Sequence, residues 1–364
     1  MVARLTLSET HEGTGATLRD AMGFELPWHY GDAAAEYRAA REHVVLVDRS
    51  YAGFLSVTGP EASTFLDRLI SAEVARLAPG QGVDAVLLSP KGKVVGVFET
   101  YLVDENDYVL RFNDPIPVEF SKILEKYAFL SDVQIIDDSE EKCRFGIEGP
   151  ASAGLVKEIF GVEPAGASYR REVLDWQDDQ TVVYHGGVRR ERDRVEIELS
   201  SDAAPAAWEV LTEAVRTRAG CPMGFEAAEI IRVEDGQPRF SVDFDADSFP
   251  NEAGFEGALT YSKCYVGQEV VARMRTYGHA NRVLRGITIV GDPALDTVRA
   301  VRGASLWGEG GQVGTITSSV LSPQYAMIAL SVVHRKGWAK GTTLRVETAS
   351  GDVAGVVNEL PFTS

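Results

Sequence analysis

An α+β fold followed by a small all-β domain is what this sequence of 364 residues predicts. Three observations lead there. Strand-like segments are interrupted by single helices, without the regular β-α-β-α rhythm of a doubly wound sheet. A strand ending in Gly-Pro and followed by a helix-like segment occurs twice, at Val57-Thr58-Gly59-Pro60 and at Ile147-Glu148-Gly149-Pro150. After about Asn281 short apolar strands alternate with Gly and Ser and no long helix remains, the texture of a barrel or sandwich.

The elements follow in order. Asp32 to Glu42 is Ala-rich and starts on an N-cap residue, which predicts a helix. Val44 to Asp48 is a short apolar strand, and Phe54 to Thr58 alternates before stopping at Gly59-Pro60. Glu61 to Ile70 places Phe65, Leu66, Leu69 and Ile70 on one helical face. Val83 to Ser89, Val94 to Val103 and Tyr108 to Asn113 read as strands parted by Pro90-Lys91-Gly92 and Asp104-Glu105-Asn106-Asp107, both rich in turn residues. A helix over Val118 to Tyr127 and a strand around Val133 to Ile136 complete the first block. The second begins near Cys143. Its Gly-Pro echo fits an internal duplication, and equally a chance recurrence of a common stop signal. Arg285 to Val290, Gln312 to Thr317, Tyr325 to Val333, Thr343 to Glu347 and Val353 to Val357 are the barrel strands, with the domain boundary at 276–284. Residues 1–280 then form one region of two α+β units, the first discontinuous in sequence, and 281–364 the barrel.

Composition narrows the function. The net charge of −18 repels nucleic acid and anionic membranes, so neither is expected as a partner. Arg189 to Arg194 is the densest cationic run, but its interleaved acids predict a solvated loop in preference to a phosphate site. No segment reaches the roughly 20 apolar residues of a membrane span, and the N-terminus lacks a secretory core. Three scattered cysteines, Cys143, Cys221 and Cys264, fit a reducing compartment and supply no metal cluster. The expectation is a cytoplasmic protein with no metal of its own.

Separated segments in one order resemble a known superfamily. They are Leu26-Pro27-Trp28-His29-Tyr30, Val47-Asp48-Arg49-Ser50, the two Gly-Pro motifs, Pro222-Met223-Gly224, Ile231-Arg232-Val233-Glu234-Asp235-Gly236, and Gly314 to Ser318 with Ser322-Pro323. Together they are similar to the glycine-cleavage T-protein (aminomethyltransferase, GcvT)/YgfZ superfamily. Lys263-Cys264-Tyr265-Val266-Gly267-Gln268-Glu269, with Val271-Ala272-Arg273, Gly278, Asn281 and Arg282, resembles the YgfZ signature K-G-C-[YF]-x-G-Q-E, minus the glycine between lysine and cysteine. The resemblance implies a three-lobed body of two ferredoxin-like, folate-binding α+β units and a barrel, with tetrahydrofolate as ligand. It assigns the folate to Arg232, Glu196, Asn113 and Tyr30, meeting in one concave site between the α+β units. It gives Lys263, Cys264, Tyr265, Gly267, Gln268 and Glu269 a place at that site's mouth, with Cys264 as the candidate reactive group. From the residues alone, Cys264 reads as buried filler, Glu269 as an ion-pair partner, and Arg232 with Glu234 as a surface pair.

One departure bears on catalysis. T-proteins carry paired aspartates, one of them the acid/base near the folate nitrogens, where this chain has Gly96 and Val97. Glu99 faces away from Gly96 by strand parity and lies two residues beyond Val97, too far for proton transfer over about 2.6–3.2 Å. The expected role is therefore a folate-dependent accessory factor in iron–sulfur enzyme maturation or repair, acting on iron–sulfur proteins. The alternatives are an aminomethyl- or methyltransferase working with a lipoyl carrier protein, and an interaction module that has lost the folate.

Overall fold

Asp32 caps the first long helix, its Oδ1 accepting the Ala34 N–H at 2.9 Å, and from there to the helix after Pro150 the chain follows the expected sequence of elements. The computed structural model describes residues 2–163, 169–186, 194–277, 280–291, 301–349 and 351–362. The expected cationic loop at Arg189 to Arg194 falls almost wholly outside them, as does Gly278.

The chain divides into two compact units, Met1–Ala85 with Gly96–Ala228, and Val86–Val95 with Glu229–Ser364. In the first, β1 (Ala3–Arg4), α1 (Ser8–Gly13), β2 (Thr17–Ala21) and β3 (Phe24–His29) precede α2 (Ala33–Glu42) and β4 (Val45–Asp48). Then come β5 (Phe54–Thr58), α3 (Ala62–Leu69), β6 (Gly82–Leu88), β7 (Val94–Asp104), β8 (Asp107–Arg111), α4 (Val118–Ala128) and β9 (Gln134–Asp137). The unit continues through β10 (Lys142–Glu148), α5 (Ser152–Phe160), β11 (Arg170–Trp176), β12 (Asp179–His185), β13 (Arg194–Ser200), α6 (Ala204–Arg216) and β14 (Cys221–Pro222), into α7 (Phe225–Glu234). The tip of the β6–β7 hairpin belongs to the second unit.

Two larger sheets organise the first unit, in the orders β6-β7-β8-β5-β9 and β11-β12-β13-β10-β4-β14, beside a three-stranded one ordered β1-β3-β2. The second is discontinuous in sequence: β4 pairs antiparallel with β10, Asp48 opposite Phe145, across the whole of the first sheet. Period-2 alternation sorts the side chains into layers. Phe145, Val195, Ile197 and Leu199 point outward onto α5 and α6, where Trp208 and Leu211 seal a core. On the other side Phe54, Tyr101, Val109, Val182 and Tyr184 pack the sheets against each other. The two Gly-Pro motifs have the same local geometry. Gly59 and Gly149 sit at φ +120° and +112°, a region open to glycine, and each is followed by a helix, α3 and α5.

The second unit contains the end of α7, α8 (Gln268–Tyr277) and a closed barrel ordered β15-β18-β17-β16-β19-β20. Its strands are β15 (Arg282–Val290), β16 (Ser305–Gly308), β17 (Gly311–Ser322), β18 (Ala326–His334), β19 (Thr343–Thr348) and β20 (Gly351–Asn358). Inward Ile287, Leu306, Ile316, Ala329, Val346 and Val357 fill it. The class is the α+β fold with a terminal β-barrel that the sequence predicts. Among the described residues no helix is long and apolar enough to cross a membrane.

Candidate functional site

Glu196 lies on β13 between Val195 and Ile197, which face the helices, so its own side chain enters the layer between the two sheets. There it is only 1% exposed, and Oε2 accepts from Arg111 Nη2 at 2.7 Å. Arg111 reaches it from β8 in the facing sheet. The same guanidinium donates through Nη1 to Glu99 at 3.2 Å, its Nε lies 3.8 Å from Glu198, and its carbon stands 3.6 Å from the Tyr184 ring centroid. Burial works against the charge of Arg111, but Tyr184, Glu99, Tyr101 and Glu198 outweigh it and hold the pKa above the ordinary arginine value. Arg49 closes the layer from the end of β4, bonded to Glu148 at 2.5 Å, with its Nε 3.8 Å from Glu196. Such a layer can present carboxylates to a ligand that carries paired N–H donors, because carboxylates accept parallel bonds from such groups.

Asn113 is exposed on the bend two residues beyond Arg111. Tyr30 is placed elsewhere. It packs on the Trp208 core and so lies on the opposite face of the sheet from Glu196. Its hydroxyl bonds His11 Nδ1 at 2.9 Å, and His11 Nε2 meets Asp48 Oδ2 at 2.8 Å. That chain ties α1 and the end of β3 to β4.

Arg232 belongs to the second unit, on α7. Nε and Nη2 fork onto Glu229 at 3.0 and 2.6 Å, Nη1 takes Asp243 at 2.7 Å and the Gln237 carbonyl at 2.6 Å, and Nη2 also reaches Ser318 of β17 at 2.6 Å. Burial alone would raise the Glu229 carboxyl, but Arg232 and Arg239 outweigh it and hold it down to about 2. The surface pair between Arg232 and Glu234 is not formed. Glu234, two residues on from Arg232 and on another face of the helix, accepts from Ser322 instead.

The Lys263 to Glu269 loop leads into α8. Tyr265 is buried, Cys264 is exposed, and Lys263 Nζ stands 5.9 Å from the Tyr265 ring. Gly267 adopts φ +80°, and a Cβ there would meet the Ser89 carbonyl at 2.4 Å and the Cα of Gly92 at 3.2 Å. The signature loop is thus seated on the turn of the β6–β7 hairpin. Glu269 pairs with Arg273 one turn on, both well exposed, and Arg282 forks onto Glu252 at 3.1 and 3.2 Å.

Gly96 carries no room for an acid. A Cβ at that position would stand 2.6 Å from the Phe120 ring, and Phe98, Phe112 and Phe120 stack edge-on or tilted around it. Val97 shares its strand face with Glu99 and Tyr101, which look into the charged layer. Among the described residues no group of three His, Cys, Asp or Glu side chains could hold a metal ion.

Residues 7–263 match the GCVT N-terminal domain, and residues 282–363 match the glycine cleavage T-protein C-terminal barrel domain. The chain belongs to the glycine cleavage T-protein family. T-protein relatives match it over nearly their whole length. An aminomethyltransferase of Rubrobacter xylanophilus is 30% identical over 88% of this chain and 84% of its own. One from Cutibacterium acnes is 27% identical over 99% and 98%. The crystal structure of the glycine cleavage system aminomethyltransferase T from Bartonella henselae superposes with a TM-score of 0.86 at 23% identity, covering 100% of this chain and 98% of that one. At that identity the likeness establishes the T-protein fold alone. Sequence reasoning singled out Glu196 and passed over its partner Arg111, whose only signal is an arginine at an inward position of a strand that otherwise reads as core.

Proposed function

We propose that this T-protein family member binds a reduced folate and handles a one-carbon unit on it. The match of both domains to relatives named aminomethyltransferase carries this reading. The donor and acceptor chemistry of the inter-sheet layer fits the ligand. Glu196 accepts one N–H of Arg111 in the native protein, and a pterin's 2-amino-pyrimidinone edge offers two such donors. In this reading Glu196 and Asn113 contact the ligand, Tyr30 and Arg232 serve the hydrogen-bond networks described above, and residues 1–280 form the folate-binding region with 281–364 as the barrel domain. Tetrahydrofolate supplies the nitrogens that carry a one-carbon unit. The protein's own part is to orient the pterin edge and exclude water from the buried carboxylates.

A second reading has its own support. The aspartate expected of an aminomethyltransferase is replaced by Gly96, whose side-chain space Phe120 fills, and the exposed Cys264 sits in a loop that resembles the YgfZ signature. On that reading the protein is a cytoplasmic, folate-dependent accessory factor for iron–sulfur enzymes, with an iron–sulfur protein as partner in place of a lipoyl carrier. Calorimetry with tetrahydrofolate, together with an aminomethyl-transfer assay from aminomethylated lipoyl carrier, separates the two. Transfer supports the transferase, and binding without transfer supports the accessory factor. Absence of binding sinks both and leaves an interaction module.

A further inference from the structure

A guanidinium and the 2-amino-pyrimidinone edge of a reduced pterin present the same pattern to a carboxylate, N–H donors side by side. Arg111 sets one such donor, Nη2, on Glu196 Oε2, an oxygen that such an edge would also use. The contact is tight: 2.7 Å from Nη2 to Oε2, with both side chains 1% exposed.

An ion pair between two sheets can be no more than a tie, and buried pairs are often energetically neutral. Two features argue for more. The sheets are already joined by the apolar cluster of Phe54, Tyr101, Val109, Val182 and Tyr184. Arg111 also has other anchors that do not involve Glu196. Glu99 accepts from Nη1 at 3.2 Å, Glu198 lies 3.8 Å from Nε, and the Tyr184 ring lies under the guanidinium at 3.6 Å. It can release Glu196 and remain paired, which a simple tie between two charges cannot do.

We propose that Arg111 is an internal competitor for the ligand's pyrimidine edge, a specificity-determining residue that occupies Glu196 and gives way only to a ligand bringing its own donor pair. The ligand's identity rests on the folate reading above. The competition itself is a property of Arg111 and Glu196. Its consequence is weaker binding by the native protein than Glu196 would otherwise allow, and discrimination against ligands that lack paired donors.

The test uses the full chain and 5-formyltetrahydrofolate, titrated by calorimetry. Arg111→Leu is expected to bind at least tenfold more tightly than the parent, and adding Glu196→Gln to it is expected to remove the gain. Arg111→Lys, which keeps the charge beside Glu99 without the planar fork, serves if Arg111→Leu does not fold, with tighter binding expected again. Equal or weaker binding by a folded Arg111 variant overturns the proposal. Methylguanidinium, a mimic of the missing side chain, is the independent probe. At millimolar concentration it is expected to raise the Tm of the Arg111 variant but not of the variant also carrying Glu196→Gln. If no protein binds any reduced folate and methylguanidinium still stabilises the single variant, the folate reading falls while Glu196 is shown to take a donor pair in place of Arg111. If methylguanidinium also fails, the competitor assignment falls with it.

Discussion

Arg232→Ala removes a guanidinium whose every N–H group is used, on Glu229, Asp243, Ser318 and the Gln237 carbonyl. The Asp243 side chain is fully buried. Without Arg232 it keeps the hydroxyls of Thr317 and Ser318 and the Arg239 N–H, and it loses its only close cation among the described residues. Removing one partner of a buried pair costs about 3–5 kcal/mol. For domains of roughly 150–250 residues each kcal/mol moves the Tm by about 2–4 °C, so a fall on the order of 10 °C is expected. Arg232→Lys should lie between, since one ammonium cannot span Glu229, Asp243 and Ser318. Calorimetric melting of the full chain, followed by tetrahydrofolate titration below the transition, separates structure from ligand contact. A Tm within about 2 °C of the parent, with folate affinity reduced more than tenfold, would refute the structural reasoning and return Arg232 to the ligand.

The same network makes stability depend on pH. Glu229 has its folded pKa depressed from 4.5 to about 2, so its contribution of about 3 kcal/mol is complete above pH 4.5 and disappears as pH falls from there through 2; urea midpoints measured across that window should drop, and drop less in Glu229→Gln. Gly96→Asp should cost about 1–3 kcal/mol through the clash with Phe120, read from the urea midpoint, with Phe120→Ala recovering part of the loss. Thiol titration at pH 8 should show one rapid group, Cys264, because it alone of the three is exposed; burial pushes the Cys143 and Cys221 thiols up to about 11, so half-buried Cys221 should react slowly and buried Cys143 only on unfolding. Two rapid thiols would contradict that placement.

The sequence by itself determined the kinship and, over residues 32–160 and in the barrel, most of the element types and their order. Local signals suffice for these: the Asp32 cap, the apolar face of Phe65, Leu66 and Leu69, the glycines before Pro60 and Pro150, and the turn at Gly92 are all set within a few residues of chain. It also exposed the loss of an acid at Gly96, since a missing side chain is visible without coordinates. Periodicity further assigned Glu99 and Gly96 to opposite strand faces, and the structure places them so. What each polar side chain meets was not legible, because partners come from strands far apart in sequence. Arg111 and Glu196 are joined across two sheets, and Arg232 finds Asp243 and Ser318 where Glu234 had been the obvious neighbour. Tyr30 and Glu196 share a family motif set yet fall on opposite faces of one sheet. A one-residue change in parity decides which layer a side chain enters, and only the tertiary pairing of β4, β10 and β13 decides what waits for it there.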